Sequence, residues 1–437
     1  MFLRDNFGSI TEFAYLRQTI DENMRTEGYK LTHIEIGGFK SISATLPLKL
    51  DFADVNILLG ANGAGKSNIV SFFKMLGYMM SGSMQMYVAQ AGTNQTFLHY
   101  GAKVTPCITA SLRYESEKEY DVYNFSLTHA VPNRLIIKSE DVEWGSLDDD
   151  GKPHRSVVTS DYNESGLINS SHEVCAEMRS LLSMCKVYQF SDSSITAPMR
   201  QASAVDSAHY LQSEANNLAP FLYFLRENYK EAYQRIVGYV RAVIPQFGDF
   251  YLEPERGYIS LKWTDNTAND YVFNAEQFSD GSIRFIALAT LLLQPQETMP
   301  HVIIIDEPEL GLHPYAIDQL AEMIKDASLH AQIVLTAGVK LVNNRKMDDV
   351  LCGGHLGGIV KAGTGNDTGA ALGAAQHMLD HGVCGKALIA LNVVGQRGTG
   401  NQTVLQPDVA HLDGAQQTLV TGAGHKNDLL FRFAEGN

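Results

Sequence analysis

The sequence predicts an α/β fold with a mixed central sheet, an antiparallel β-subdomain and a helical subdomain, without a coiled-coil arm. Three observations predict it. The apolar run Asp54-Val55-Asn56-Ile57-Leu58-Leu59 leads into a glycine-rich loop and then into a segment of helical spacing. A second apolar run, Val302-Ile303-Ile304-Ile305, ends in the adjacent carboxylates Asp306 and Glu307. Between the two, over residues 105–144, apolar and polar side chains alternate as in antiparallel strands, and no long heptad repeat marks an arm.

In chain order, residues 1–29 are polar and charged and read as a loose or mostly helical extension. Leu31-Thr32-His33-Ile34-Glu35-Ile36 alternates with period two and reads as a strand. The 54–59 strand is apolar on both faces, as a buried strand should be. Asn68-Ile69-Val70-Ser71-Phe72-Phe73-Lys74-Met75-Leu76 has helical spacing. Residues 108–114 and 120–127 read as antiparallel strands, and residues 146–171, rich in Ser, Asp and Gly, as a surface loop. Helices are predicted over 171–184 and 218–244, a strand pair over 249–253 and 258–263, a helix over 282–293, a buried strand over 301–305, a helix over 315–327 and a short strand over 332–336. The resulting division is an N-terminal extension, 1–29, a main domain, 30–350, with an inserted β/helical region over 95–270, and a C-terminal segment, 351–437.

A hydrophobic content of 45% supports a sizeable core. The formal net charge of -15 argues against a chain that coats DNA over its whole surface, because phosphate neutralisation dominates such affinity. A local basic groove stays compatible with it. Cys107, Cys175, Cys185, Cys352 and Cys384 are scattered without metal-ligand spacing, which fits a reducing cytoplasm better than a disulfide framework. Residues 1–30 lack the apolar core of a signal peptide, and no apolar run nears the ~18 residues of a membrane span, so a cytoplasmic location without a membrane partner is expected.

The chemistry lies in four motifs. Gly60-Ala61-Asn62-Gly63-Ala64-Gly65-Lys66-Ser67 fits G-x-x-x-x-G-K-[ST] on a strand–loop–helix. Inward-pointing N–H groups of such a loop cradle phosphates only if the backbone comes close, which calls for glycine at 60, 63 and 65. The loop residues Gly60, Asn62, Gly63, Ala64, Gly65, Lys66, Ser67 and Asn68 are therefore assigned to ATP. Lys66 supplies a point charge to the β- and γ-phosphates, and Ser67 a hydroxyl to Mg²⁺. Asp306 is a second metal-holding residue and Glu307 the base that polarises the attacking water; the alternative is that both cap the following helix. Phe278-Ser279-Asp280-Gly281-Ser282 precedes a helix and either meets a γ-phosphate at that N-terminus or is an ordinary N-cap. Glu309-Leu310-Gly311-Leu312-His313-Pro314 completes the set.

This ordered set resembles the ABC-type ATPase heads of the SMC, RecF and OLD group, and more narrowly the compact predicted ATPases of the AAA_21 or AAA_15 type. The resemblance is carried by Ile36-Gly37-Gly38-Phe39-Lys40-Ser41-Ile42, residues 60–68, Asn217-Leu218-Ala219-Pro220-Phe221-Leu222, residues 278–284 and residues 306–314, and spans residues 31–336. It implies a P-loop NTPase fold of the ABC type and a head-to-tail pair closed around two ATP molecules. Ser279, Asp280 and Gly281 would then act on the neighbour's nucleotide, with Gly311 and His313 near the seam. Compact arm-less heads of this kind, as in Septu, PARIS and retron-associated defence systems, accompany a separately encoded nuclease or toxin. The resemblance thus implies an anti-phage ATPase subunit forming a dimer or higher oligomer. A DNA-clamping maintenance ATPase of the RecF kind and a nucleotide-gated scaffold that scarcely turns over are the alternatives. The chain departs from the family at Thr336-Ala337-Gly338, where Thr-His-Ser or Thr-Gln-Ser is usual, and Gln90 and Gln95 both compete for the role of magnesium-sensing glutamine.

Residues 338–437 hold about half of the glycines and, as aromatics, only Phe431 and Phe433. They read either as a loose glycine-rich domain or as a segment foreign to the fold. Asp348-Asp349 lacks the Asp-x-Asp of a TOPRIM-type nuclease, and Cys352 with His355 or His381 with Cys384 gives no supported zinc site.

Overall fold

Strand direction divides the chain into two large sheets. The computed structural model describes residues 28–337 except 61, 62, 64, 149–151, 159–161 and 269, together with the strands 356–362 and 388–389. The first sheet is antiparallel. It comprises β1 (Lys30–Gly37), β2 (Leu48–Asp51), β4 (Cys107–Glu115), β5 (Glu119–Ala130), β6 (Arg134–Ser146) and β7 (His154–Val157), in the order β2-β1-β4-β5-β6-β7. The second is parallel in every pairing. It comprises β3 (Val55–Gly60), β8 (Cys185–Tyr188), β14 (Val302–Asp306), β15 (Gln332–Ala337), β16 (Leu356–Ala362) and β17 (Leu388–Ile389), in the order β17-β16-β3-β15-β14-β8. The expected mixture of strand directions is present, segregated into two sheets. Two smaller sheets, β9 (Ser203–Ala204) with β11 (Tyr258–Ile259), and β10 (Phe247–Tyr251) with β12 (Lys262–Asp265) and β13 (Val272–Asn274), lie between β8 and β14 in the chain.

The parallel sheet is buried on both faces, and its side-chain period of two splits the core. Ile57, Ile303, Ile305, Ile333 and Leu335 face one cluster. That cluster holds the helices α4 (Leu218–Asn228), α5 (Lys230–Val243), α6 (Asp280–Leu292) and α7 (Pro314–Ala327). Leu58, Val302, Ile304 and Val334 face a second cluster, with the antiparallel sheet and the helices α1 (Lys66–Met80), α2 (Met84–Gln90) and α3 (Glu173–Ser183). Both faces of β3 and β14 are thereby packed against core clusters.

Three local readings change. The single helix expected over 218–244 is two, because Tyr229 (φ -135°, ψ 62°) ends α4 and starts α5. Its ring packs on Phe224 at 5.7 Å, and the break falls without glycine or proline. The 146–171 loop contains β7, paired with β6. The region 95–270 contributes β8 to the parallel sheet, and residues beyond 350 contribute β16, paired with β3. Among the described residues no helix is long and apolar enough to cross a membrane.

Candidate functional site

The phosphate loop leaves β3 at Gly60 and enters α1. Gly63 and Gly65 take φ of 84° and 99°, a region that glycine occupies without steric cost. A side chain at Gly63 would point into open space. Gly65 is the N-cap of α1 and offers no capping side chain, and the first turn of α1 carries no acidic residue. The orphan N–H groups and the positive dipole end therefore stay available to an anion. Lys66 is buried at 6% exposure and Ser67 is exposed. Asn68 donates from Nδ2 to Ser41 Oγ at 2.5 Å, anchoring α1 to the loop after β1. This cradle fits the phosphates of a nucleotide. Asn62 and Ala64 lie outside the described residues.

The carboxylates are tied to the same helix. Asp306 ends β14, and its Oδ2 accepts from Gln189 Nε2 at 2.7 Å. Gln189 Oε1 in turn accepts from Lys74 Nζ on α1. A lysine can only donate and a carboxylate can only accept, so the two partners set the orientation of the Gln189 amide. One turn back along α1, Lys40 Nζ donates to Ser71 Oγ at 2.8 Å, and Ser71 Oγ donates to the Ser67 carbonyl at 2.7 Å. Burial, and then the charge of Lys74, hold the Lys40 pKa below the ordinary lysine value. The oxygen-rich set Ser67 and Asp306 has the chemistry of a magnesium site.

Glu307 follows in the left-handed region, φ 48°, which costs a non-glycine residue of the order of 1–3 kcal/mol. Its N–H donates to the Thr336 carbonyl at 2.9 Å and to Thr336 Oγ1 at 3.1 Å. The Glu307 side chain is half-buried beside Asp306. Helix α7 is capped by His313, whose Nδ1 accepts from the Tyr315 N–H at 3.3 Å, rather than by either carboxylate.

Ser279, Asp280 and Gly281 sit at the start of α6. Ser279 is exposed and caps the helix, its Oγ accepting from the Ser282 N–H at 3.1 Å. Asp280 accepts from Arg200 Nη2 at 3.1 Å. A Cβ on Gly281 would stand 2.6 Å from the Gly311 carbonyl, so α6 and the loop before α7 touch through their glycines. Gly311 takes φ 75°. Arg284, 5% exposed, joins this group to the other: its guanidinium donates to the Phe190 carbonyl at 2.7 Å, the Ser191 carbonyl at 2.8 Å and the Leu310 carbonyl. Arg200 likewise holds the Ser193, Ala275 and Phe278 carbonyls.

Gln189 is the glutamine beside Asp306. Gln90 is exposed at the end of α2, and Gln95 Oε1 accepts from the Ala102 N–H at 2.8 Å in a separate turn. The available signal was position: Gln189 directly follows Cys185-Lys186-Val187-Tyr188, a short run legible as a strand only once it pairs with β14. Arg200 and Arg284 bind mostly backbone carbonyls and so left no pairing pattern in the sequence. Ala337 is fully buried, and its position offers no polar group.

Residues 197–336 match the AAA_21 family model, described as AAA domain, putative AbiEii toxin, Type IV TA system. No curated protein matches the chain. Solved structures similar to it include the SMC head domain from Thermotoga maritima, with 14% identity over 71% of this chain and 90% of that one, at a TM-score of 0.38. The SmcHead bound to the C-winged helix domain of ScpA shows 16% identity over 70% and 89%, at 0.42. The Smc head domain with an extended coiled coil bound to the C-terminal domain of ScpA, derived from Pyrococcus furiosus, shows 13% over 72% and 90%, at 0.44. The chain thus has an α/β fold with the phosphate loop between β3 and α1 and carboxylates ending the parallel strand β14, and its residues 197–336 are similar to an AAA domain.

Proposed function

We propose that this chain binds and hydrolyses ATP as the subunit of a bacterial anti-phage defence complex, closing head to tail with a second copy and controlling a separately encoded nuclease or toxin. The observation that carries the ATPase reading is the continuous chain Lys74–Gln189–Asp306, which brings the helix of the phosphate loop to the carboxylate strand. In this reading the N–H groups from Gly60 to Ser67 and the α1 dipole hold the triphosphate, and Lys66 neutralises its outer phosphates. Ser67 and Asp306 would hold magnesium, which when bound offsets charge on the β- and γ-phosphates. Glu307 takes a proton from water as the water oxygen bonds to the γ-phosphorus and the bond to the β-phosphate oxygen breaks, leaving ADP and phosphate. Ser279, Asp280 and Gly281 reach the partner's nucleotide, and Gly311 and His313 line the seam.

The defence role is supported by the family description, which names a putative toxin of type IV toxin–antitoxin systems. A second reading, a nucleotide-gated scaffold with slow turnover, is favoured by the buried methyl of Ala337 where related heads carry a polar switch residue. Phosphate release and nucleotide binding test the first reading. Lys66→Ala is expected to lose at least about 10-fold in ATP affinity, and Glu307→Gln to keep binding while turnover falls by roughly 10²–10⁴. Unchanged affinity in the first variant removes the phosphate-loop assignment, and unchanged turnover in the second moves the base elsewhere.

A further inference from the structure

Thr336 is paired with Asp306 across the parallel register of β14 and β15 and is fully buried. Its hydroxyl is in contact with both carboxylate-bearing residues. It donates to Asp306 Oδ1 and accepts from the Glu307 N–H at 3.1 Å, while the Thr336 carbonyl accepts from the same N–H at 2.9 Å. A hydroxyl has one proton and two lone pairs, so it can serve both residues together. With Gln189 on Oδ2 and Thr336 on Oδ1, each oxygen of Asp306 is held by a donor from a different strand end. The Glu307 N–H, doubly engaged, is also what restrains that residue at its left-handed φ of 48°.

We infer that Thr336 is a positioning residue for both carboxylates: its hydroxyl orients Asp306 toward the divalent ion and its backbone and hydroxyl together hold Glu307 in its strained aim. This rests on the ATPase reading above and assigns the residue a task no motif names. Groups that orient a metal-holding side chain typically cost 10–100-fold in metal affinity or activity when removed. Thr336→Val keeps shape and volume but removes the hydroxyl; Thr336→Ser keeps the hydroxyl.

The probe is Mn²⁺, titrated by electron paramagnetic resonance into the full chain saturated with ADP. Metal-free ADP affinity and Tm are measured alongside. Thr336→Val is expected to bind Mn²⁺ at least about 10-fold more weakly than the parent, with metal-free ADP affinity unchanged, and Thr336→Ser to stay within about 3-fold. Thr336→Ala, a second hydroxyl-free variant, should repeat the loss. Parent-like Mn²⁺ affinity in Thr336→Val and Thr336→Ala overturns the inference alone, as does a Thr336→Ser as weak as Thr336→Val. A parent that binds no ADP overturns the nucleotide reading and the inference with it.

Discussion

At the scale of single residues, the least ordinary backbone in the site belongs to Glu307. An L-residue at φ 48° crowds its Cβ against the following carbonyl, at a cost of about 1–2 kcal/mol. Glycine avoids that crowding but adds about 0.4–1 kcal/mol of unfolded-state entropy to be lost. Strain relief is the larger effect, so Glu307→Gly should be more stable than Glu307→Ala by about 0.5–1 kcal/mol in denaturant titration. Both variants lack the carboxylate and should lose turnover alike. A Glu307→Ala variant as stable as Glu307→Gly would show that Thr336 does not hold the backbone in this conformation.

Two elements carry predictions of their own. Helix α6 begins where Gly281 meets the Gly311 carbonyl. Alanine is the better helix former by about 0.5–1 kcal/mol, yet its Cβ would stand 2.6 Å from a backbone oxygen that has little room to shift. Overpacking of this kind costs about 1–3 kcal/mol, so Gly281→Ala should destabilise the chain, read as a lower Tm. A stabilised Gly281→Ala would mean that α6 and the loop before α7 part freely. Strand β5 places Asp121 at 3% exposure with Oδ2 unpartnered, in the field of Glu177 on α3 and of Glu119, which accepts from the Tyr29 hydroxyl at 3.3 Å. Burial first, then Glu177 and Glu119, push the Asp121 pKa up from 3.8 to about 7. Between those values the folded chain holds a proton that the unfolded chain has lost, so this group's contribution to stability falls as pH rises from about 4 to about 7 and then levels off. Asp121→Asn should flatten that fall and stabilise the protein at pH 8 by up to about 4 kcal/mol. Parallel pH–stability curves for parent and variant would refute it.

For the whole molecule, the question is what the exposed start of α6 faces. Within one chain Ser279 is accounted for as a helix cap, worth about 1 kcal/mol. In the proposed pair it also meets the neighbour's γ-phosphate, and Leu310, beside the Gly311 that Gly281 touches, is exposed. Ser279→Arg should therefore keep ATP binding by the single chain while weakening association and hydrolysis. The check is scattering mass with and without a non-hydrolysable ATP analogue. A parent that doubles in mass with the analogue and a Ser279→Arg variant that does not is the expected result. Equal association of the two leaves Ser279 as a cap alone.

The sequence by itself determined the local chemistry. A phosphate loop is eight consecutive residues between a strand and a helix, and Asp306 with Glu307 closes an unbroken apolar run, so both were legible without knowing what lay beside them. The continuous apolar run 302–305 likewise announced a strand buried on both faces. Tertiary structure alone decided which distant groups complete the site. Gln189 reaches Asp306 only because β8 pairs with β14, and Thr336 reaches both carboxylates only because the β14–β15 register sets it opposite Asp306. Arg200 and Arg284 bind mainly backbone carbonyls, which every residue possesses, so no partner type betrays them. The segregation of parallel from antiparallel strands has the same origin. A contact between side chain and remote backbone, or between two strands, is selected by the packed whole, and short-range residue patterns carry no trace of it.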